Sequence, residues 1–352
     1  MFCDDLCRCD AQTAMGEYPN RFLIVSLGSI GRRHLRNLRL LNPAATIAVL
    51  RTSKIPEPQS AVGADLTVYT LEDALAFEPH AAIIASPASM HADIASKLAA
   101  RGVHMLIEKP LAADLSSADT ISRAAVGAGI ICMVGYNLRF KQSLLKVHDL
   151  LNSGIVGSVL SVRAEVGQHL STWRPGTDYR NSVSAQSSLG GGALLELSHE
   201  IDYLLWMFGL PDKVHCNMGR FSDLDLDVED LVNLTMEYES PKRIINIHLD
   251  FLQKPATRKC KFIATNGTIE WDALGDRVIV AGSPEVVEAQ TFDFSPSDGN
   301  QTYLDEVRHF TTSIANGNDV QPNVQNGVDV MLVIEAARRS VVLGGTVQIG
   351  RP

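Results

Sequence analysis

Residues 21–31 read RFLIVSLGSIG and decide the fold class of the chain. The first seven residues form a short apolar run without polar alternation, which predicts a buried parallel strand. A turn containing Gly28 and Gly31 follows, and residues 32–41 have the pattern of a helix. This order is typical of a dinucleotide-binding unit, although Ser26 replaces the first glycine of the usual fingerprint. An ordinary tight turn between strand and helix is the alternative interpretation.

Five more short apolar runs follow before residue 142 and alternate with helical stretches. They predict strands at 46–50, 66–69, 81–85, 103–107 and 130–134. This alternation indicates a doubly wound parallel sheet, so we expect an α/β Rossmann domain over residues 21–142. After an apolar helix at 193–208, longer strands follow one another without helices. They indicate an α+β domain over 143–352 with a largely antiparallel, open-faced sheet. We expect residues 1–20 to be a disordered extension.

Composition excludes several classes of protein. The formal net charge is −9, without the basic face that a nucleic-acid binder carries. No apolar run reaches the roughly 18–20 residues that span a bilayer. The first residues lack a basic region followed by an apolar core, so we expect no secretory signal. The six cysteines do not follow a standard zinc pattern. We therefore expect a cytoplasmic protein with no metal, no membrane and no nucleic-acid partner.

The end of the second predicted strand bears on the choice of nicotinamide cofactor. NAD sites usually place a carboxylate here to bind the ribose, whereas an arginine accommodates the extra phosphate of NADP. This chain has Arg51, Thr52 and Ser53, which favours NADP over NAD. The alternative is that these are solvated loop residues.

Several polar residues leave the carboxyl ends of predicted parallel strands, where ligands bind in open α/β sheets. Ser86, Pro87 and His91 follow the fourth strand, and Glu108 and Lys109 follow the fifth. A lysine at this place can hydrogen-bond a substrate hydroxyl and share in proton transfer. The alternatives are that Lys109 is an ordinary surface residue and that His91 packs locally.

Five motifs together carry a family resemblance. They are Gly28-x-x-Gly31, Ser86-Pro87-x-x-x-His91, Glu108-Lys109-Pro110, Gly135-Tyr136-Asn137-x-Arg139-Phe140, and the run Gly190–Gly192 before His199-x-x-Asp202. Over about residues 21–345 the chain resembles the glucose–fructose oxidoreductase / inositol dehydrogenase / rhizopine catabolism (Gfo/Idh/MocA) family. The resemblance implies a Rossmann domain, a second domain with an open antiparallel sheet, and hydride chemistry on sugars, cyclitols or related alcohols. The predicted cofactor contacts are Gly28, Ser29, Ile30, Gly31, Arg32, Arg51, Thr52, Ser53, Ser86, Pro87, His91, Glu108, Lys109 and Asn137.

The resemblance also implies two catalytic residues. Lys109 would be catalytic or substrate-orienting, and His199 would be the acid–base group. The family usually has an aspartate four residues before this histidine, but Leu195 stands here and the nearest carboxylate is Glu196. A spacing of three keeps two residues on one helical face, so we expect Glu196 to orient or charge-tune His199, with Asp202 and Glu200 as competitors for this role. The alternative is a half-buried histidine on an apolar helix.

The loop at 168–180 is rich in groups that bind sugars. Arginine and aspartate bind hydroxyls or carboxylates, and aromatic rings cover the apolar face of a sugar. We expect Trp173, Arg174, Asp178 and Tyr179 to contact the substrate together with His199. The arginines leave room for an anionic or nucleotide-linked sugar, and a loop between domains is the alternative.

We therefore predict an NAD(P)-dependent oxidoreductase that acts on a sugar, sugar derivative or cyclitol. One alternative enzyme eliminates a glycosidic bond through transient oxidation, and another alternative is a catalytically silent, cofactor-binding regulator. The strands at 243–251 and 258–264 carry alternating apolar residues, which we expect on the open face of the sheet. Because a monomer rarely leaves such a face in water, this pattern predicts a homodimer or homotetramer.

Overall fold

The computed structural model describes residues 19–51, 63–174, 176–282, 288–295 and 299–350. Two predicted cofactor contacts, Thr52 and Ser53, lie outside these ranges, as do residues 1–18 of the expected extension. Within the described ranges, no helix is both long enough and apolar enough to cross a bilayer.

Six parallel strands form the first sheet, in the order β3-β2-β1-β4-β5-β6. They are β1 (Arg21–Val25), β2 (Thr46–Leu50), β3 (Leu66–Val68), β4 (Ala81–Ile84), β5 (His104–Ile107) and β6 (Cys132–Val134). Continuous apolar runs form these strands because both faces of the sheet are buried. Strand order reverses between β1 and β4, and the crevice at their carboxyl ends is where such sheets bind ligands.

Nine helices of the described chain surround and connect the two sheets. They are α1 (Ser29–Leu41), α2 (Leu71–Ala76), α3 (His91–Ala99), α4 (Leu115–Gly127), α5 (Gln142–Asn152), α6 (Ala193–Glu196), α7 (His199–Phe208), α8 (Gln301–Asn316) and α9 (Val324–Leu343). Helix α8 packs beside α1, where Val307 and Phe310 join a core that contains Phe22 and Ile24 of β1. A helix from late in the chain thus covers one face of the parallel sheet.

The second sheet has nine strands in the order β14-β13-β12-β11-β7-β10-β9-β8-β15. They are β7 (Val159–Gly167), β8 (Lys213–Gly219), β9 (Leu231–Glu239), β10 (Lys242–Asp250), β11 (Thr257–Ala264), β12 (Gly267–Asp272), β13 (Arg277–Gly282), β14 (Gln290–Asp293) and β15 (Val347–Gln348). The β7–β10 pair is parallel and the other pairs are antiparallel. The predicted fold class, a Rossmann α/β domain plus an α+β domain with a largely antiparallel sheet, is confirmed.

The open face of the second sheet carries mainly charged and polar side chains with Ile244 exposed among them, so the expectation that the alternating apolar residues of these strands lie there is wrong. In β10 the alternate residues Ile245, Ile247 and Leu249 are buried on the helix-covered side. On the open side, Lys261 lies beside Arg163 of β7 and pairs with Glu270 of β12 at 2.6 Å. The period of two in a strand puts alternate residues on one face, and the core takes the face that carries most of the apolar ones.

The apolar helix predicted at 193–208 is broken into α6 and α7 by Leu197 and Ser198. The carbonyl oxygen of Glu196 accepts a hydrogen bond from the Lys109 ammonium at 2.8 Å. The amide of Glu200 bonds instead to Leu197, three residues back, at 3.4 Å. Because Glu196 and His199 lie on separate helices, the expectation that one continuous helical face pairs them is wrong.

Candidate active site

The glycine turn after β1 presents an uncapped helix N-terminus. Helix α1 begins at Ser29, and no side chain caps it and no acidic residue lies in its first turn. The first amides of such a helix are free to bind an anion. A Cβ on Gly31 would lie 2.1 Å from the carbonyl oxygen of Ser26, whereas the space beside Gly28 is open. The turn therefore has both the tight packing and the clearance that a pyrophosphate requires.

His91 connects the loops that follow β4 and β5. Its Nε2 lies 2.8 Å from the carbonyl oxygen of Ser86, and its Nδ1 lies 3.1 Å from that of Leu111. Burial lowers the pKa of this ring, which is 1% exposed. Pro87 lies half-buried in the same loop. Both ring nitrogens face backbone carbonyls, and a neutral ring can donate to one of them, so His91 connects the two loops.

Glu108 contacts α1, the helix that follows the glycine turn. Its Oε1 lies 2.6 Å from Nε2 of His34 on α1, and the side chain is nearly buried. Glu306 of α8 completes a buried group whose ligand-type atoms all lie within 4.8 Å of one another. Burial, followed by the charge of Glu108, raises the pKa of Glu306 well above its usual range. The raised pKa favours the protonated form of Glu306. In the described part of the chain this is the one cluster with metal-binding atoms at this spacing.

Asn137, Arg32 and Arg51 lie around the same edge of the parallel sheet. Asn137 is buried, and its side-chain amide donates to the hydroxyl of Thr302 on α8 at 2.8 Å. Arg32 lies in the first turn of α1, where its backbone amide bonds to Gly28. Arg51 directly follows β2, and only 8% of the residue is exposed to solvent.

His199 is the first residue of α7 and is 8% exposed. Its ring stands edge-on to Tyr136 at 5.6 Å between centroids. Among the described residues Nδ1 is buried without a partner, so Nε2 is the nitrogen available to the cleft. Burial holds the pKa of His199 well below its usual range, and the positive charges of Lys109 and Arg258 lower it further. A neutral imidazole in this place can accept a proton.

Glu196 contributes through its backbone. Its carbonyl binds Lys109, as described above, while its carboxylate accepts a hydrogen bond from Ser184 at 3.2 Å. The next acidic residue, Glu200, is fully buried and pairs with Arg258 at 2.9 Å. The tertiary structure therefore assigns the two carboxylates to Ser184 and Arg258, and brings the Glu196 backbone to the lysine.

One cleft of about 350 Å³ collects the two catalytic candidates and part of the predicted substrate loop. The predicted residues that line it are Lys109, Trp173, Arg174, Glu196 and His199. Asp178 lies elsewhere and pairs with Arg180 at 2.7 Å. The Tyr179 hydroxyl accepts a hydrogen bond from the amide of Asp225 at 3.1 Å, outside the lining of the cleft.

Four polar residues that were not among the predicted site residues also line the cleft. They are Gln168, Thr257, Arg258 and Tyr303. Gln168 lies at the edge of the polar loop that the sequence indicated. Arg258 of β11 and Tyr303 of α8 had no local signal, because their strand and helix reach the cleft only through the tertiary fold.

A buried ion pair joins the two parts of the site. Arg139, in the turn after β6, binds Asp202 of α7 through Nη2 at 2.7 Å and Nε at 3.0 Å. Both side chains are almost completely buried. The pair connects the parallel sheet to the helix that carries His199, so the two catalytic candidates are held by one framework.

The comparison with protein families decides the affiliation. Residues 20–136 match the oxidoreductase family, NAD-binding Rossmann fold, and residues 144–270 match the GFO/IDH/MocA C-terminal domain. The chain belongs to the Gfo/Idh/MocA oxidoreductase family. The family resemblance that the motifs predicted is thereby confirmed.

Individual relatives are distant. D-xylose 1-dehydrogenase (NADP(+)) 2 of Haloferax volcanii is 25% identical over 76% of this chain and 80% of its own length. The scyllo-inositol 2-dehydrogenase (NADP(+)) of Bacillus subtilis is 24% identical over 73% of this chain and 75% of its own. The structure of levoglucosan dehydrogenase in complex with NADH and levoglucosan superposes with a TM-score of 0.83, at 20% identity, over 94% of this chain and 99% of that one. At this identity the structural likeness shows the shared fold.

Proposed function

We propose that the protein transfers a hydride between a nicotinamide cofactor and a hydroxyl or keto carbon of a sugar, sugar derivative or cyclitol. The observation that carries the proposal is the meeting of Lys109 and His199 on one cleft, although Lys109 follows a strand of the parallel sheet and His199 begins helix α7. Relatives named as xylose and inositol dehydrogenases support the same chemistry. Oxidation of an alcohol needs a group that accepts the hydroxyl proton, and a hydrogen-bond donor to the same oxygen assists it when both are held on one cleft.

The residues around the glycine turn fit a dinucleotide. The uncapped start of α1 suits the pyrophosphate, and the open space at Gly28 lets the backbone approach it. Ser29, Ile30 and Gly31 would offer their amides, and Ser86 would lie at the neighbouring strand end. The bound nicotinamide supplies the acceptor of the hydride in one direction and its donor in the other.

Proton transfer falls to His199 and Lys109. In the oxidation direction, the hydroxyl O–H breaks and its proton goes to Nε2 of His199 while the adjacent C–H bond yields the hydride and a C=O bond forms. The Lys109 ammonium donates a hydrogen bond to the same oxygen and stabilises the negative charge that develops there. The carbonyl of Glu196 keeps this ammonium in position at 2.8 Å. His91 contacts the loop that carries Lys109, and the carboxylate of Glu108 accepts a hydrogen bond from the Lys109 backbone amide at 3.3 Å.

We also propose that NADP is preferred to NAD. Arg51 stands where NAD-specific sites usually carry a carboxylate, and a guanidinium there favours a ribose phosphate. The two curated relatives described above are named as NADP(+) enzymes, which supports the same preference.

Turnover with a substrate panel tests the function. The protein is incubated with NADP⁺ or NAD⁺ and with aldoses, cyclitols, uronic acids and anhydrosugars, and the absorbance of the reduced nicotinamide is followed. We expect at least one of these alcohols to reduce the cofactor. A protein that binds the cofactor tightly but turns over none of them would contradict the proposal and favour a silent cofactor-binding protein.

A further inference from the structure

The cleft around His199 has an excess of positive charge. Lys109, Arg174 and Arg258 all line it, and Glu196 is the one acidic side chain among its described lining residues. Glu200 offsets part of the charge of Arg258 from a buried position behind the cleft. With His199 neutral, three positive groups face two negative ones, so one positive charge remains uncompensated. In a concave site with low-dielectric walls, the electric field of such a charge acts strongly on a bound ligand.

Arg258 is held in place before any ligand arrives. Its Nε lies 2.9 Å from Oε1 of Glu200, and its Nη2 lies 3.3 Å from Oε2. The Arg258 side chain is 21% exposed, whereas that of Glu200 is fully buried. Among the described residues Nη1 has no hydrogen-bond partner, and Arg258 lines the cleft. A planar donor fixed along one edge can bind an anion along the other at little entropic cost.

Arg174 enters the same cleft from the polar loop. Its guanidinium is exposed and forms no ion pair with any residue in the described ranges. The neighbouring arginine of this loop differs, because Arg180 is bound by Asp178 through Nε and Nη2 at 2.7–3.0 Å. The loop therefore neutralises the arginine that lies outside the cleft and leaves the one inside it available. A sugar without charge would not use this arrangement fully, whereas a carboxylate would.

From these contacts we infer that the substrate is an acidic sugar or polyol, and that Arg174 and Arg258 bind its carboxylate while Lys109 and His199 act on a hydroxyl. The inference rests on the proposed dehydrogenase function and narrows its substrate class. A cleft of about 350 Å³ suits a ligand of monosaccharide size. Arg258 and Arg174 would thus determine specificity, because a carboxylate binds guanidinium groups through strong charge-assisted hydrogen bonds.

Matched sugars separate charge from shape. The probes are D-glucose, D-glucuronate and methyl D-glucuronate, with the corresponding galactose series, each tested for kcat/KM with NADP⁺ and NAD⁺. We expect the acids to exceed both their esters and their neutral sugars by at least about tenfold. Equal or higher kcat/KM for the neutral members would overturn the inference while leaving the dehydrogenase function intact.

Variants assign the carboxylate to the two arginines. Arg174 is exposed, so we expect Arg174→Gln to preserve folding. This variant should lower kcat/KM for the acids by about 10- to 100-fold, with little change for the esters. Arg258→Gln is made together with Glu200→Gln, so that no buried carboxylate is left unpaired. Arg180→Gln is the matched control from the same loop and should change neither class. An equal loss on acids and esters in both arginine variants would overturn the assignment.

A binding experiment that needs no turnover distinguishes a failure of the anion site from a failure of the proposed dehydrogenase function. L-tartrate, D-glucuronate and methyl D-glucuronate are titrated by calorimetry into the protein saturated with NADPH. We expect both carboxylates to bind at least about tenfold more tightly than the ester, and Arg174→Gln to reduce this difference. If no sugar is turned over but this preference is seen, the proposed function fails and the anion site stands. If carboxylate and ester bind equally, the anion site fails.

Discussion

The ammonium nitrogen of Lys109 lies 2.8 Å from the backbone carbonyl oxygen of Glu196. The lysine follows a strand of the parallel sheet, and the carbonyl ends the short helix α6 in front of His199. Together with the ion pair of Arg139 and Asp202, this hydrogen bond joins the two parts of the site, and it lies next to the break between α6 and α7. Each part of the molecule therefore helps to position the catalytic candidate of the other.

The first prediction concerns this lysine. Lys109→Met should lower kcat about 10²- to 10⁴-fold, because it removes the hydrogen-bond donor from the reacting oxygen. Cofactor affinity, measured by titration, should change little. Lys97→Met, an exposed lysine on α3 that pairs with Asp93, is the matched control and should retain full activity. Near-native turnover of Lys109→Met would remove the lysine from the mechanism.

The second prediction concerns the pH dependence that His199 imparts. Burial and the charges of Lys109 and Arg258 hold its pKa well below the usual 6.5. A base must be deprotonated to act, so kcat/KM for oxidation should be constant around neutral pH and fall only below pH 6.5. Lys109→Met removes a positive charge, raises the pKa of His199, and should move this acid limb to higher pH.

Two measurements check the behaviour of His199. The first is the pH profile of the wild type and of the residual activity of Lys109→Met, and the second is an NMR titration of the His199 ring. His199→Ala should lose about 10²- to 10⁴-fold in kcat and also lose the acid limb. An acid limb that persists in His199→Ala would assign it to another group.

The third prediction concerns cofactor preference. Arg51→Asp should shift the ratio of NADP to NAD affinity towards NAD by at least about tenfold, because a hydrogen bond to a charged group is worth about 1.5–3 kcal/mol. Titration of both cofactors checks this, with thermal unfolding as a test of folding. Arg101→Asp, in the exposed turn after α3, is the control. Wild-type affinity tenfold tighter for NAD than for NADP would contradict the prediction.

The fourth prediction concerns the buried pair of Arg139 and Asp202. Asp202→Asn should lower the free energy of unfolding by about 3–5 kcal/mol, because it leaves a buried guanidinium without its counter-charge. Asp93→Asn breaks an exposed pair with Lys97 and should cost no more than about 1 kcal/mol. Urea unfolding compares them. A loss below about 1 kcal/mol for Asp202→Asn would show that the pair contributes little to stability.

The fifth prediction is that the protein forms a homodimer or homotetramer through the open face of the second sheet. That face has a hollow of about 630 Å³ lined by side chains of both charges, including Arg163, Glu165 and Lys261. In a two-fold symmetric dimer, positive groups on this surface of one copy can pair with negative groups on the same surface of the other copy. Light scattering at micromolar concentration should give a dimer or tetramer, and Lys261→Glu should weaken it more than Lys97→Glu does. A monomeric wild type would contradict the prediction.

Part of the candidate site followed from local chemistry. Lys109 lies at the end of an apolar run, and parallel strands end at a common edge, so its presence at the cleft followed from the strand assignment. The same reasoning applies to the glycine turn of α1, where the helix start and the close approach at Gly31 are local features. The motifs before His199 indicated its region in the same way.

Other parts depended on contacts between residues far apart in the chain. Glu196 was expected to orient His199, but its carboxylate binds Ser184 and its carbonyl binds Lys109, which is 87 residues away. Asp178 was expected to contact substrate, but Arg180 binds it. Polar side chains choose among several partners of similar strength, so their contacts follow from the complete fold.

The sequence by itself determined the two sheet architectures, because apolar periodicity and glycine turns act over a few residues and specify strands, helices and their order. The tertiary structure alone decided which face of the second sheet is buried, where the helix before His199 breaks, and that Arg258 and Tyr303 reach the cleft. Those outcomes depend on hydrogen bonds and packing between distant segments, whose energies no local pattern contains.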